Sequence, residues 1–549
     1  MLDLLIRHGL IVDGSGAAGY PGDVGVQGDR IVAIGRLGAA EAKTTIDASG
    51  LVVTPGFVDM HSHADFTLPA NPTADSLVHQ GITTVVTGQC GSSPAPLADS
   101  LVHQGLTTLV MGEGGSSPAP LPAGNREEAI AALSDPSVPL PWDAWSTFES
   151  YLAYLAQIGT SLNVVPLVGH GTVRGGVMGF SAEPANRQQM AHMQAEVLRA
   201  MDSGAIGLST GLAQPPGCFS RTEELIELVR PVGQRGGYYF SHIRGEDETL
   251  LEAIAEAIRI GRETGAAVQI SHLKAAGRLN WTKATQALEL IDRARAEGLD
   301  VTCDVYPYLA SSTGLTVLVP AWAHDGGTGA LLGRLADPAV RERIKADPHV
   351  ERMSRMATWD QVLISQSPRV PGYEGHTVAD LACSAGRPVY DWVLDALLET
   401  ELEMRIVAFL MSDDNVRMQL RHPAVMIGSD GAGLAAEGPL ANGVPHPRSY
   451  GTYPRVLGRY VREEHVLSLE AAVWKMTGYP AQKLRWPDRG LLRRGYRADL
   501  VVLNPALVAD CATYQAPHQY PIGIQHVIVN GVPVIRDGVH TGARPGSVL

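Results

Sequence analysis

Two histidines one residue apart, His61 and His63, close the apolar run Leu51-Val52-Val53-Thr54-Pro55-Gly56-Phe57-Val58. On a β-strand residues i and i+2 share a face, so both imidazoles project together from the end of a buried strand. Paired imidazoles suit a transition metal. Further ligand-type residues end other apolar runs: Cys90 in Gly88-Gln89-Cys90-Gly91, His170 in Val168-Gly169-His170, His242 in Phe240-Ser241-His242, His272 in Ile270-Ser271-His272 and Asp430 in Gly428-Ser429-Asp430-Gly431. A single histidine at a strand end more often packs or caps than ligates. Several separate strand ends, each closing in such a residue, point to one shared site. Imidazole with thiolate favours zinc over magnesium or calcium.

The elements that must position these residues follow from periodicity. From about 56 to 480, β-rich apolar runs alternate with amphipathic segments such as 187–201, 248–264 and 282–296. Eight runs are expected as strands: the His61 run, 83–86, 163–169, 205–210, 238–242, 267–272, 301–306 and 424–429. Eight β units separated by helices predict an α/β fold, a TIM-type (β/α)8 barrel with its site at the C-terminal strand ends. Residues 320–423 are long for one connection and are expected to form an inserted helical subregion over the mouth. Short strands in 1–55, among them 4–6 and 10–12, and in 481–549 are expected to pair into a small β-sandwich, giving a barrel domain over 56–480.

One feature interrupts this pattern. Residues 74–97 are repeated at 98–121 with five changes, including Gln89 to Glu113 and Cys90 to Gly114. A barrel has one second strand, so one copy is expected to be surplus. The ligand from that strand is Cys90 of the first copy, or Glu113 from the neighbouring register of the second.

The bulk composition narrows the function classes. The chain has 549 residues and a net charge of −14, without a basic run, which argues against nucleic acid or anionic membranes as partners. Five scattered cysteines give no disulfide framework. Neither a secretion signal nor a membrane span is read from the sequence, so a cytoplasmic setting is expected. Self-association into a homo-oligomer stays open.

The chain resembles the amidohydrolase superfamily, and within it the N-acyl-D-amino-acid deacylases. The resemblance rests on Gly56-Phe57-Val58-Asp59-Met60-His61-Ser62-His63, the Cys90 turn, the Ser-His pairs at 241–242 and 271–272, Asp304-Val305-Tyr306-Pro307-Tyr308, Gly428-Ser429-Asp430-Gly431, and Gly495-Tyr496-Arg497-Ala498-Asp499 near the end. It implies a zinc enzyme that cleaves the amide of an N-acyl-D-amino acid. It implies that Cys90 (alternatively Glu113), His242 and His272 hold one tight zinc, and that His61, His63 and Asp430 frame a second, weaker metal position. It implies Asp430 as general base and acid, and Lys274, Tyr306 and Ser312 near the substrate carboxylate. His170 is expected to donate to the oxyanion. Arg244, Arg278 and Arg448 are candidate partners for an acidic substrate side chain. Two rival readings remain. One is a cyclic-amide hydrolase of the hydantoinase or dihydroorotase kind, disfavoured because the run 205–211 lacks that group's bridging lysine. The other is a decayed, non-catalytic binding barrel.

Overall fold

The computed structural model describes residues 1–64, 115–122, 140–438 and 441–549, the strand backbones 82–87, 89–90 and 108–111, and a few isolated residues among them. The first barrel strand, Phe57–Ser62, is fully buried and pairs in parallel with Ile82–Thr87. Beyond the third strand, Asn163–Pro166 with Val168–Gly169, the parallel order continues through Gly207–Gly211, Tyr238–His242, Ala267–Ile270, Val301–Val305 and Val425–Ile427. The Ile206 N–H donates to the Pro166 carbonyl (2.8 Å), which joins the two runs of sheet. The ring closes where Ser62 bridges Gly431 and the Asp430 N–H donates to the His61 carbonyl (2.7 Å).

The repeat adds a strand to this ring. Ile82–Thr87 and Thr108–Met111 both run parallel to Asn163–Pro166, and Asn163 is in register with Thr84 and with Thr108, equivalent residues of the two copies. Both copies carry a β-forming run, Ile-Thr-Thr-Val-Val-Thr in the first and Leu-Thr-Thr-Leu-Val-Met in the second, so each satisfies the neighbouring ladder, and nine parallel strands stand among the described residues where eight were expected.

The helices between strands are amphipathic in the expected way. In Leu250–Thr264, Leu250, Ala253, Ile254, Ala257, Ile258 and Gly261 are buried at helical spacing. The helix stops at Gly265, whose φ of 74° supplies the left-handed C-cap. Arg187–Asp202 opens with an Asn186–Gln189 capping box.

Strands from both chain ends form one nine-stranded sheet. Val52–Pro55, which leads into the first barrel strand, pairs antiparallel with Leu500–Leu503, so this sheet anchors the start of the site. The two short strands expected at 4–6 and 10–12 are one strand, Leu2–Ile11, kept continuous by a register shift between Ile6 and Gly9. The region after the seventh strand is not purely helical. Ala310–Gly314, Val362–Gln366 and Arg405–Phe409 make a three-stranded antiparallel sheet under the helices Gly327–Ala336, Pro348–Met356 and Val389–Glu399. This subregion has its own core, including Leu315, Leu331, Ile364, Val393 and Ile406.

Candidate active site

The seam between the first and last barrel strands brings residues 367 positions apart into contact. The Asp430 carboxylate lies 2.5 Å from His63 Nε2 and 3.5 Å from His61 Nε2. Gly428 makes this seam possible, because a Cβ there would stand 2.8 Å from both Asp304 Oδ1 and His61 Cβ. Across the mouth, His242 Nδ1 and His272 Nε2 are 2.7 Å apart, and the His61 and His272 rings lie 4.7 Å apart between centroids. One ligand atom each from His61, His272 and Asp430 falls within a 4.8 Å cluster, and the same holds for His242, Glu246 and His272. His272 and Asp430 adopt left-handed backbone (φ 35° and 50°). Such non-glycine geometry costs roughly 1–3 kcal/mol per residue and concentrates at functional sites.

Burial sets the charge states. It pushes the His63 and His242 imidazoles down to about 4, so both are neutral, the form that ligates metal. His272 is lowered by burial and by the adjacent Lys274 cation. Burial alone would raise the Asp430 carboxyl, but Arg448, His61 and His272 more than offset it and hold it well below the usual range. Arg448 is itself buried, with Nη1 2.9 Å from Asp430 Oδ2 and its guanidinium 4.8 Å above the Tyr306 ring.

A cavity of about 640 Å³ opens onto this cluster. His63, His242, His272, Lys274, Tyr306, Ser312, Asp430 and Arg448 all face it, so most of the expected site residues converge. Lys274 is anchored rather than loose: its Nζ contacts Glu246 Oε1 (2.5 Å) and His272 Nδ1 (2.7 Å).

His170 behaves differently from the expectation. The third strand passes straight into the helix His170–Met178, and the buried ring turns to Ser220 Oγ (3.3 Å) and Glu224 Oε1 (3.7 Å). It is not among the residues lining the cavity. Arg244 is tied to Glu256 (2.9 Å), and Arg278 is exposed outside the cavity.

Cys90 is described through its backbone. It pairs with Gly115, whose own Cβ position (φ 84°) would lie 2.4 Å from the Gly211 nitrogen, so this turn sits against the end of the fourth strand. The Cys90 side chain and all of Glu113 lie outside the described residues.

Two carboxylates in the site went unassigned in the sequence. Glu246 follows His242 by four residues, and its Oε1 lies 3.0 Å from His272 Nδ1 while accepting from Lys274 Nζ (2.5 Å). Asp304, in the motif at the seventh strand end, accepts from the His272 N–H (2.8 Å) and stands 3.4 Å from His61 Nδ1. Carboxylates behind ligating histidines fix tautomer and ring orientation.

The donor set of imidazoles and carboxylate, with His63 and His242 neutral and Asp430 ionised, fits zinc. Comparison with known proteins agrees in scale and detail. The family pattern described as amidohydrolase family matches residues 44–535. A D-aminoacylase of Alcaligenes xylosoxydans xylosoxydans is 37% identical over 556 residues, covering 100% of this chain and 97% of that protein. An N-acyl-D-glutamate deacylase of the same organism is 36% identical, covering 100% and 96%. The crystal structure of an N-acyl-D-glutamate deacylase from Bordetella bronchiseptica, complexed with zinc and a phosphonate inhibitor that mimics the tetrahedral intermediate, superimposes with a TM-score of 0.80 at 34% identity, covering 100% and 99%. The chain belongs to the amidohydrolase family.

Proposed function

We propose that this protein is a zinc-dependent N-acyl-D-amino-acid deacylase that releases a carboxylate and a free D-amino acid. One observation carries the reading: His61, His272 and Asp430 converge within 4.8 Å at the barrel mouth of a chain matched end to end by a D-aminoacylase. We assign Cys90, His242 and His272 to the tight zinc position, with Glu113 the alternative to Cys90. His61, His63 and Asp430 take a second, weaker position. When bound, zinc lowers the pKa of a water towards about 7 and polarises the scissile carbonyl.

The chain's own residues do the rest. Asp430, ionised beside Arg448, takes the proton from the attacking water and returns it to the leaving amine nitrogen. Lys274, buried and cationic beside Glu246, holds the substrate α-carboxylate and so aligns the amide. Tyr306 and Ser312 line the same wall. His170 receives no role at the oxyanion, because its ring engages Ser220 and Glu224. Among the described residues no helix is long and apolar enough to cross a membrane, and the working setting is read as cytoplasmic.

The test is hydrolysis of N-acetyl-D-methionine and its L-isomer, with and without a chelator. Chelator-sensitive turnover of the D-isomer alone is expected. Equal turnover of both isomers, or turnover indifferent to the chelator, would overturn the reading.

A further inference from the structure

The cavity is much larger than the metal-ligand cluster, and its two ends differ in character. Beyond Lys274 and Tyr306 the wall comes from the inserted subregion: Leu318, Met353, Met356, Trp359, Ile406 and Leu410. Three of these, Leu318, Ile406 and Leu410, are rooted in the subregion's buried core, so the surface is preformed. Met353 and Met356 stand on the helix Pro348–Met356 and are only partly buried, three residues apart on one face. Methionine adapts to irregular apolar partners.

The cationic side chains facing the cavity tell the complementary story. Arg244 contacts Glu256 (2.9 Å), Lys274 contacts Glu246 (2.5 Å), Arg352 contacts Asp247 (3.1 Å) and Arg448 contacts Asp430 (2.9 Å). Glu252 lines the cavity as a further carboxylate. The substrate α-carboxylate is one anionic group, and at Lys274 it already has to share the cation with Glu246. A second would have to displace a carboxylate from its partner or face Glu252, which costs free energy that an uncharged group does not incur.

We infer that the substrate carries an extended apolar group, seated against the Leu318–Met353–Met356–Trp359 wall, and that N-acyl derivatives of acidic D-amino acids are discriminated against. This rests on the deacylase reading above. The apolar group has two possible sources, the amino-acid side chain or the acyl chain, and the experiment separates them. A cavity of this size lies in the range of about 300–1,000 Å³ that accommodates drug-sized ligands, so a small acetylated amino acid leaves part of it unfilled.

The experiment measures kcat/KM of the zinc-loaded full chain on N-acetyl-D-methionine, N-acetyl-D-glutamate, N-acetyl-D-aspartate, N-acetyl-D-alanine and N-octanoyl-D-alanine. A side-chain seat predicts that methionine exceeds glutamate and aspartate, with apolar contacts contributing about 10- to 200-fold. An acyl seat predicts a gain of that order for octanoyl over acetyl on D-alanine. In either case Met356→Ala and Trp359→Ala shrink the ratio several-fold while zinc content, read by elemental analysis, stays at the parent level. Glutamate or aspartate turned over as well as methionine, or no gain either from methionine over alanine or from octanoyl over acetyl, would overturn the inference and leave the deacylase reading standing. No turnover of any of the five with zinc bound would instead overturn the deacylase reading itself.

Discussion

Replacing Asp430 by Asn tests the proton-transfer assignment and separates it from the residue's structural part. The side chain keeps its shape but loses its charge and its capacity to accept a proton. General acid–base transfer contributes about 10²–10⁴-fold, which corresponds to roughly 3–5 kcal/mol of transition-state stabilisation. Turnover is therefore expected to fall by that factor with zinc retained, because His242 ends the strand Tyr238–His242 and His272 follows the strand Ala267–Ile270, both apart from Asp430. A stability change accompanies it. The Arg448 guanidinium, 2.9 Å from Asp430 and buried, loses its counter-charge, and stranding one partner of a buried pair costs about 3–5 kcal/mol. A loss of about 3–5 kcal/mol in chemical denaturation is therefore expected. Combining Asp430→Asn with Arg448→Met removes both partners and should recover most of the stability, but none of the turnover. Steady-state kinetics by release of free amine, elemental analysis and urea unfolding read the three quantities. Turnover within a few-fold of the parent, in either variant, would refute the assignment of Asp430.

Three other perturbations follow from the same geometry. Cys90→Ala should lower bound zinc while Glu113→Ala should not; the reverse pattern would place the second copy of the repeat at the metal. Glu246→Gln, which weakens the contact to His272 Nδ1 (3.0 Å), should reduce zinc affinity by about 10–100-fold in a competitive chelator titration. Glu224 is held down to about 2 against its ordinary 4.5: burial opposes this, and the polar contact with His170 (3.7 Å) and the Arg174 cation (3.1 Å) outweigh it. A depressed carboxyl contributes stability above its unfolded-state pKa and loses it as pH falls through the folded one, so Glu224 supplies about 3 kcal/mol at neutral pH that fades between about 4.5 and 2. Glu224→Gln should be less stable than the parent near neutrality, and the gap should close on acidification.

The sequence displayed the barrel because its strands end in polar residues of one chemical kind and its helices repeat their apolar positions at 3.6-residue spacing. Helices expected at 187–201 and 248–264 run Arg187–Asp202 and Leu250–Thr264. His61, His242, His272 and Asp430 were visible for the same reason: each closes a β-rich run, and a parallel barrel carries every such end to one mouth. The supporting carboxylates were not. Glu246 sits in a loop with no periodicity, and only the fold shows that it backs His272. His170 looked equivalent to the other strand-end histidines, but the chain turns into a helix at that residue and swings the ring towards Glu224. The strand Ala310–Gly314, Ala-Ser-Ser-Thr-Gly, offers no apolar alternation, which hid the small sheet of the inserted subregion. The repeat was legible as a repeat, but sequence could not rank its copies, since Thr84 and Thr108 satisfy the same register against Asn163.

The central claim is that zinc held at this mouth drives hydrolysis of N-acyl-D-amino acids, and zinc reconstitution of the chelated protein tests it most directly. Hydrolysis of N-acetyl-D-methionine should be absent in the apoprotein, rise with added zinc, and reach most of its final rate by about one equivalent, as one tight catalytic site requires. Full activity in protein shown by elemental analysis to be zinc-free, or no activity at any zinc loading, would contradict it.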